Sequence, residues 1–337
     1  VIGVLRLRKG IPSRTAGFGL GLMILGVGLV GLQLVPLPPG LWTILPGRQF
    51  VVESLAASGS PLGWMPLSLT PPETRAVLLA LLPSLAMFIA AMSLRPEDRK
   101  FLAIGLLIAV VASVLLGLAQ KFQGPASPLY WHENSSVGSA TGPFANRNFF
   151  AALLYSSIPF IAALAVVWTR RRDMNRLLIA IFAFTVLAVV IIGLGATGSR
   201  AGIVLAIVAV LASGLLAWGK PNVERGPPVS RFGVLAQFGA FFLIAQFGLV
   251  GILRLAQTDP VTDYRGDIYS VSLKALTAFF PMGSGFGSFV PVYAMHETPI
   301  TILNSYVNHA HNDWLELIIE GGLPMALILA AFLIWFV

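Results

Sequence analysis

The sequence predicts an all-α, polytopic membrane protein, and three observations carry that class. Of 337 residues, 56% are hydrophobic and only 11% charged, against roughly a quarter charged in a soluble domain. The apolar residues come in runs close to the ~20 needed to cross a bilayer. The 22 lysines and arginines outnumber the 14 acidic residues, for a net charge of +8, and they fall between the apolar runs, where they set orientation. That placement excludes nucleic acid as the reason for the basic balance. The chain has no cysteine, so disulfides and thiolate metal sites are excluded as well.

Reading in order, the chain starts at Val1 and stops at Val337 inside an apolar run, so both ends read as truncated, with Ile2–Leu7 the tail of a preceding span. Candidate spans follow at about 16–35, 76–94, 101–120, 148–168, 177–197, 201–218, 232–256 and an incomplete 323–337, at least eight in this fragment. Segment 36–75 carries Pro36, Pro38, Pro39, Trp42, Pro46, Trp64, Pro66, Pro71 and Pro72. It is too broken for one helix and too apolar for a free loop, so it is expected to lie on the outer interface. Residues 1–337 read as one transmembrane domain, and 257–322 as a large, helical, periplasmic loop holding active-site residues. The linker 219–231 reads as a plain cytoplasmic turn.

Orientation follows from the short connections. Arg6, Arg8, Lys9 and Arg14, then Arg95, Arg99 and Lys100, then Arg170, Arg171, Arg172 and Arg176, then Lys220, Arg225 and Arg231 all lie on one side, 14 of the 22 basic residues. The positive-inside rule makes that side cytoplasmic. The long connections at 36–75, 121–147 and 257–322 then face outward, and function is expected there.

Four outer constellations carry chemistry. In Thr141-Gly-Pro-Phe-Ala-Asn146-Arg147-Asn148, either asparagine is placed to cap the following apolar helix, whose N-terminus beside Arg147 suits an anion; a cap with an interfacial anchor is the plainer reading. Thr197-Gly-Ser-Arg200-Ala-Gly202 is the whole outer turn between two spans. An arginine at such depth either snorkels to the surface or needs a partner such as phosphate, since the flanking spans hold no acid. Residues 259–281 place Ile268, Val271, Leu276 and Phe279 at near-helical spacing behind Arg265 and Asp267, and read as an amphipathic outer helix. Gly283, Gly285 and Gly287 lack the spacing of a dinucleotide fingerprint, and are expected to let the backbone approach a neighbour or ligand closely.

The fourth is His309-Ala-His311-Asn312-Asp313-Trp314-Leu-Glu316, with a capping box expected at Asp313 and Glu316 and a helix break at Gly321-Gly322. The HxHxD pattern lacks further ligands and a preceding strand, so no metal is expected. A neutral imidazole is the side chain best suited to take a proton from a hydroxyl at neutral pH, although a histidine here also serves as a structural group. Extended backwards, the helix would put His309 with Asp313, Glu316 and Glu320, and His311 with Trp314 and Ile318. Carboxylates favour the protonated imidazole, so a drier setting near arginines makes His311 the better base.

The ordered set GPFANRNFFAALL, GSRAG, YRGDIYSVSLKALTAFFPMGSGFGSF and HAHNDWLELIIEGGLP resembles the O-antigen ligase and polymerase superfamily of bacterial envelope glycosyltransferases, over roughly residues 141–337. The resemblance implies a GT-C-like helical membrane enzyme. Such an enzyme takes a glycan from an undecaprenyl-diphosphate carrier and joins it to an acceptor hydroxyl outside the cytoplasmic (inner) membrane. It implies that Arg200 and Arg265 handle the diphosphate and that His311, before Asn312, is the base; His309 is not required by the pattern.

The residue-level reading agrees. Departure of the lipid diphosphate concentrates negative charge on its bridging oxygen, and preorganised guanidinium groups of Arg147, Arg200 and Arg265 would stabilise it without a metal or other cofactor. Asn146, Asn148, His309 and Asn312 are expected to support the site. Expected partners are the lipid-linked donor, membrane lipids, and a glycan, lipid A core or other hydroxyl acceptor. A transporter or flippase would be expected to carry ionisable or broken-helix signals near mid-membrane; a structural membrane subunit would leave the outer arginines and histidines without a purpose. Segments 36–75 and 257–310 are expected to choose the acceptor.

Overall fold

The computed structural model describes residues 14–95, 97–132, 136, 138–169, 175–217, 265–299, 301–302 and 307–336. These divide into two compact units, one formed by 1–95 with 260–337 and the other by 96–259.

In the first unit, α1 (Arg14–Leu32) packs against α4 (Pro71–Ser93) and α11 (Asp313–Phe336), while α9 (Arg265–Phe279) packs against α10 (Phe289–Ala294) and α11. Helix α4 starts at Pro71-Pro72, where the missing N–H groups are orphans of the first turn anyway. It buries only Thr74 and Met92 and exposes Leu79, Leu82 and Met87, the surface expected of a helix solvated by lipid. Between α1 and α4 the prolines leave only short pieces: α2 (Pro39–Trp42), α3 (Gln49–Ala57) and the antiparallel strands β1 (Pro36–Leu37) and β2 (Met65–Pro66), in register Pro36 with Pro66 and Leu37 with Met65. The core beside this segment joins Ile268, Val271, Ala275 and Phe279 of α9 to Phe289, Val292 and Tyr293 of α10 and Ile319 of α11. The helical spacing read at Ile268, Val271, Leu276 and Phe279 is therefore real, and Ile268, Val271 and Phe279 are buried with Leu276 packed against them.

Helix α11 is broken at Gly322 (φ 63°, ψ −156°), as the Gly pair predicts. A Cβ there would lie 2.3 Å from the Pro281 carbonyl, so only glycine fits. Glycines 283, 285 and 287 all have positive φ, and Cβ atoms on them would strike Glu320, Ser68 and Glu73 respectively. The close approach is thus to neighbouring protein. Gln33 seals the junction: its Nε2 donates to the Glu320 carbonyl and its Oε1 accepts from Phe286 N–H, both at 2.9 Å.

The second unit comprises α5 (Arg99–Gln123), α6 (Arg147–Thr169), α7 (Arg176–Thr197) and α8 (Arg200–Ala217). Small residues set its tight crossings. A Cβ on Gly202 would lie 2.5 Å from that of Ala151, and one on Gly193 would lie 2.7 Å from Val114, so α6–α8 and α5–α7 approach as closely as small-residue membrane interfaces allow.

Among the described residues six helices, α1, α4, α5, α6, α7 and α11, are long and apolar enough to cross a membrane, and Arg200–Gly214 is a shorter apolar stretch. The six long helices correspond to six of the eight expected spans; the expected span 201–218 holds only the shorter stretch, and the expected span 232–256 lies outside the described residues. This is a helical, multi-pass membrane protein.

Candidate functional site

In the second unit, the start of α6 and the α7–α8 turn form one polar end. Asn146 is the cap of α6: its Oδ1 accepts from Asn148 N–H at 2.7 Å. Asn148 does something else. Its Oδ1 accepts from the Ser199 hydroxyl at 2.8 Å, tying the start of α6 to the turn that carries Arg200. The Ser199 oxygen in turn accepts from Gly202 N–H at 3.1 Å, which caps α8. The turn itself is possible because Gly198 is left-handed (φ 63°), a conformation with little cost for glycine alone.

Arg147 reaches this turn. Its Nη1 lies 3.8 Å from where a Cβ on Gly198 would stand, two positions before Arg200, and both arginines are exposed. The structure therefore brings Asn146, Arg147, Asn148 and the Arg200 turn together. Two supporting groups were not singled out by sequence reasoning. Gln120, fully buried, accepts from Thr141 and Gly142 N–H at 3.1 and 2.9 Å and donates to the Leu129 and Gly142 carbonyls, pinning the loop before α6. Lys121 donates to the Ala196 carbonyl at 3.0 Å, adding a cation at the C-terminus of α7, where the helix dipole favours it. Neighbouring acceptors of this kind leave no pattern in a single sequence.

In the first unit, the polar groups gather before α11. The helix starts at Asp313 as expected, but the cap is Asn312, whose Oδ1 accepts from Leu315 N–H at 3.2 Å. The expected Asp313–Glu316 capping box is replaced, because Glu316 reaches further back: Oε2 accepts from Ala310 N–H at 2.9 Å and Oε1 pairs with His309 Nδ1 at 2.8 Å. Ala310 is buried in the core, which fixes the loop between two outward-facing histidines.

His309 does pair with a carboxylate, Glu316 alone, but from the loop before the helix rather than along an extended helix face. The dry setting expected for His311 is not found: His311 is exposed, and its backbone is left-handed (φ 52°), so the helix does not extend backwards to bury it. The His311 carbonyl accepts a long hydrogen bond, 3.4 Å, from the Tyr269 hydroxyl on α9. Arg265 opens α9 one turn before Tyr269; its side chain is outside the described residues.

Residues 185–330 match a family model described as O-antigen ligase. The match covers less than half of the chain; it takes in Arg200, Arg265, His309, His311 and Asn312 and leaves out Asn146, Arg147 and Asn148. No curated protein and no solved structure matches the chain. Over residues 185–330 the chain is similar to the O-antigen ligase family, and with the apolar helices about the polar groups this supports a role of the membrane glycosyltransferase type.

Proposed function

We propose that the protein is a metal-independent glycosyltransferase of the bacterial inner membrane that moves a glycan from an undecaprenyl-diphosphate carrier to an acceptor hydroxyl on the periplasmic side. The acceptor oxygen attacks the anomeric carbon, the bond from that carbon to the diphosphate oxygen breaks, and the electron pair leaves with the lipid diphosphate. His311 takes the acceptor proton, and Arg147, Arg200 and Arg265 meet the charge on the leaving group. Asn146, Asn148 and Asn312 hold the turns that carry these residues.

The observation that best supports this reading is the approach of Arg147 to the Gly198 turn, 3.8 Å from the position of its absent Cβ, beside Arg200. Two guanidinium groups at one outer helix end suit a diphosphate better than either does alone. The donor chemistry leaves open a glycan, lipid A core or another hydroxyl as acceptor.

The pairing of His309 with Glu316 favours a second reading of the base. A carboxylate on Nδ1 holds an imidazole with Nε2 outward, the arrangement of an oriented general base.

The test is transfer by purified protein from a lipid-diphosphate-linked glycan to added acceptors, with and without chelator. Arg147→Lys, Arg200→Lys and Arg265→Lys should each impair transfer, because the charge survives but the bidentate fork does not. Full activity in the lysine variants rejects the arginine assignment, and absence of transfer with every donor and acceptor rejects the enzyme.

A further inference from the structure

Outside these groups, one buried cation among the described residues has unpartnered guanidinium nitrogens. Arg48 is 2% exposed and is the only buried arginine among those whose side chains are described. Its Nε and Nη2 are closed from solvent and have no hydrogen-bond acceptor. Two contacts hold the surrounding segment. Trp42, itself buried, donates from Nε1 to the Gly63 carbonyl at 2.9 Å; Gly47, left-handed at φ 73°, presses so closely on α9 that a Cβ would lie 2.3 Å from the Phe279 ring. Burial lowers the Arg48 titration, to about 10, so the guanidinium is still charged at neutral pH. A buried charge with no counter-ion or acceptor among the described residues is strongly unfavourable. No described residue supplies the partner, and a bound anion would.

The surroundings indicate what kind of molecule that is. Within the same short segment Leu41, Ile44, Phe50, Leu62 and Trp64 are 53%, 75%, 39%, 44% and 69% exposed. A fringe of exposed apolar side chains about a buried cation fits an amphiphile, with acyl chains on the fringe and an anionic head on the guanidinium. One unaccompanied guanidinium matches one negative charge, that of a phosphodiester, rather than the roughly two of a lipid diphosphate.

We infer that Arg48 is a binding site for the phosphodiester head of an anionic membrane phospholipid, which completes the wall of segment 36–66. The site is independent of glycosyl transfer. Helix α3, which follows Arg48 and contains no buried residue, is the element free to shift as the lipid enters.

The test uses the full chain purified in mild detergent and stripped of lipid. Phosphatidylglycerol, zwitterionic phosphatidylcholine and undecaprenyl diphosphate are added separately, and binding is read by native mass spectrometry and by the shift in Tm. Phosphatidylglycerol should bind and raise the Tm of the wild type. Arg48→Met should weaken that binding at least 10-fold and abolish the shift, whereas exposed Arg75→Met should bind as the wild type does. Arg48→Lys, which retains the charge, should bind with intermediate affinity, and it decides the matter if the methionine variant does not fold. Equal phosphatidylglycerol binding by wild type, Arg48→Met and Arg48→Lys overturns the inference. So does an Arg48-dependent shift given by undecaprenyl diphosphate and not by phosphatidylglycerol. Because the readout is binding, failure of the transfer assay leaves it standing.

Discussion

Asn148 and Ser199, 51 positions apart in sequence, are joined by a 2.8 Å hydrogen bond that fastens the first turn of α6 to the turn bearing Arg200. Each would otherwise present a polar group to a tight helix junction. Loss of one such bond typically costs about 1 kcal/mol. A shift of about 1 Å in a group that positions substrate can cost on the order of 100-fold in rate. Asn148→Ala and Ser199→Ala are therefore each expected to leave the protein folded and to lower transfer by about 10-fold or more. The double variant should be little worse than either single, since both remove the same tie. Additive losses in a kinetic double-mutant cycle would show that the two side chains act separately.

Much of this end was legible in sequence because it is local. The stretch Thr197–Gly202 reads as a turn between two apolar runs, and Asn146 ahead of Phe149-Phe150 signals a cap. What the sequence left open was the division of labour between Asn146 and Asn148, because that depends on Ser199 arriving from another helix. The same reason explains the mistaken capping box at Asp313 and Glu316. Spacing predicts the box, but His309 and Ala310 N–H offer Glu316 a better pair of partners. Arg48 could not be read as buried at all, since its burial depends on Gly47 meeting Phe279 across more than two hundred residues. The helices were the easiest part, because lipid demands long apolar runs whatever the tertiary structure.

Topology gives a test that needs no enzyme assay. The chain has no cysteine, so single cysteines report cleanly. Exposed Thr169, at the end of α6, and exposed Thr277, on α9, are expected on the cytoplasmic and outer sides respectively. In intact cells a membrane-impermeant maleimide should label Thr277→Cys and spare Thr169→Cys until the membrane is opened. Labelling of both before lysis would reject the orientation drawn from the basic residues.

Arg48 also makes a prediction about stability with its sign fixed. Burial lowers its titration from the ordinary guanidinium range to about 10 in the folded chain. Below pH 10 the folded and unfolded chains both carry the charge, and the folded one bears the cost of burying it. Above pH 10 the unfolded chain binds more protons, so this group's contribution to stability rises with pH. At about 1.4 kcal/mol per pH unit, the cost at neutral pH is on the order of 3 kcal/mol. In lipid-stripped protein, Arg48→Met should accordingly raise the Tm at pH 7, and its advantage over the wild type should shrink as pH rises past 10. A variant less stable than the wild type at pH 7 would mean that the guanidinium has a partner within the chain.

The identity of the base can be decided between two residues that stand two positions apart. His311 holds the position implied by the family resemblance. It is exposed, and its left-handed backbone (φ 52°) is a conformation that non-glycine residues adopt at a cost, of the sort found where function fixes the geometry. His309 has the better local partner, Glu316 at 2.8 Å, but that carboxylate also accepts from Ala310 N–H, which is enough to explain the pairing as a lock on the loop. If His311 is the base, His311→Ala should lose about 10²–10⁴-fold in transfer with donor binding retained. His309→Ala and Glu316→Gln should then cost far less, mainly through a looser loop. The strain at 311 adds a control that a purely chemical role would not need: His311→Gly relieves the backbone and removes the imidazole, so it should be as inactive as the alanine variant while melting no lower than the wild type. Should His309→Ala and Glu316→Gln be the inactive pair, with His311→Ala near full activity, the oriented His309 is the base and the carry-over to His311 is wrong.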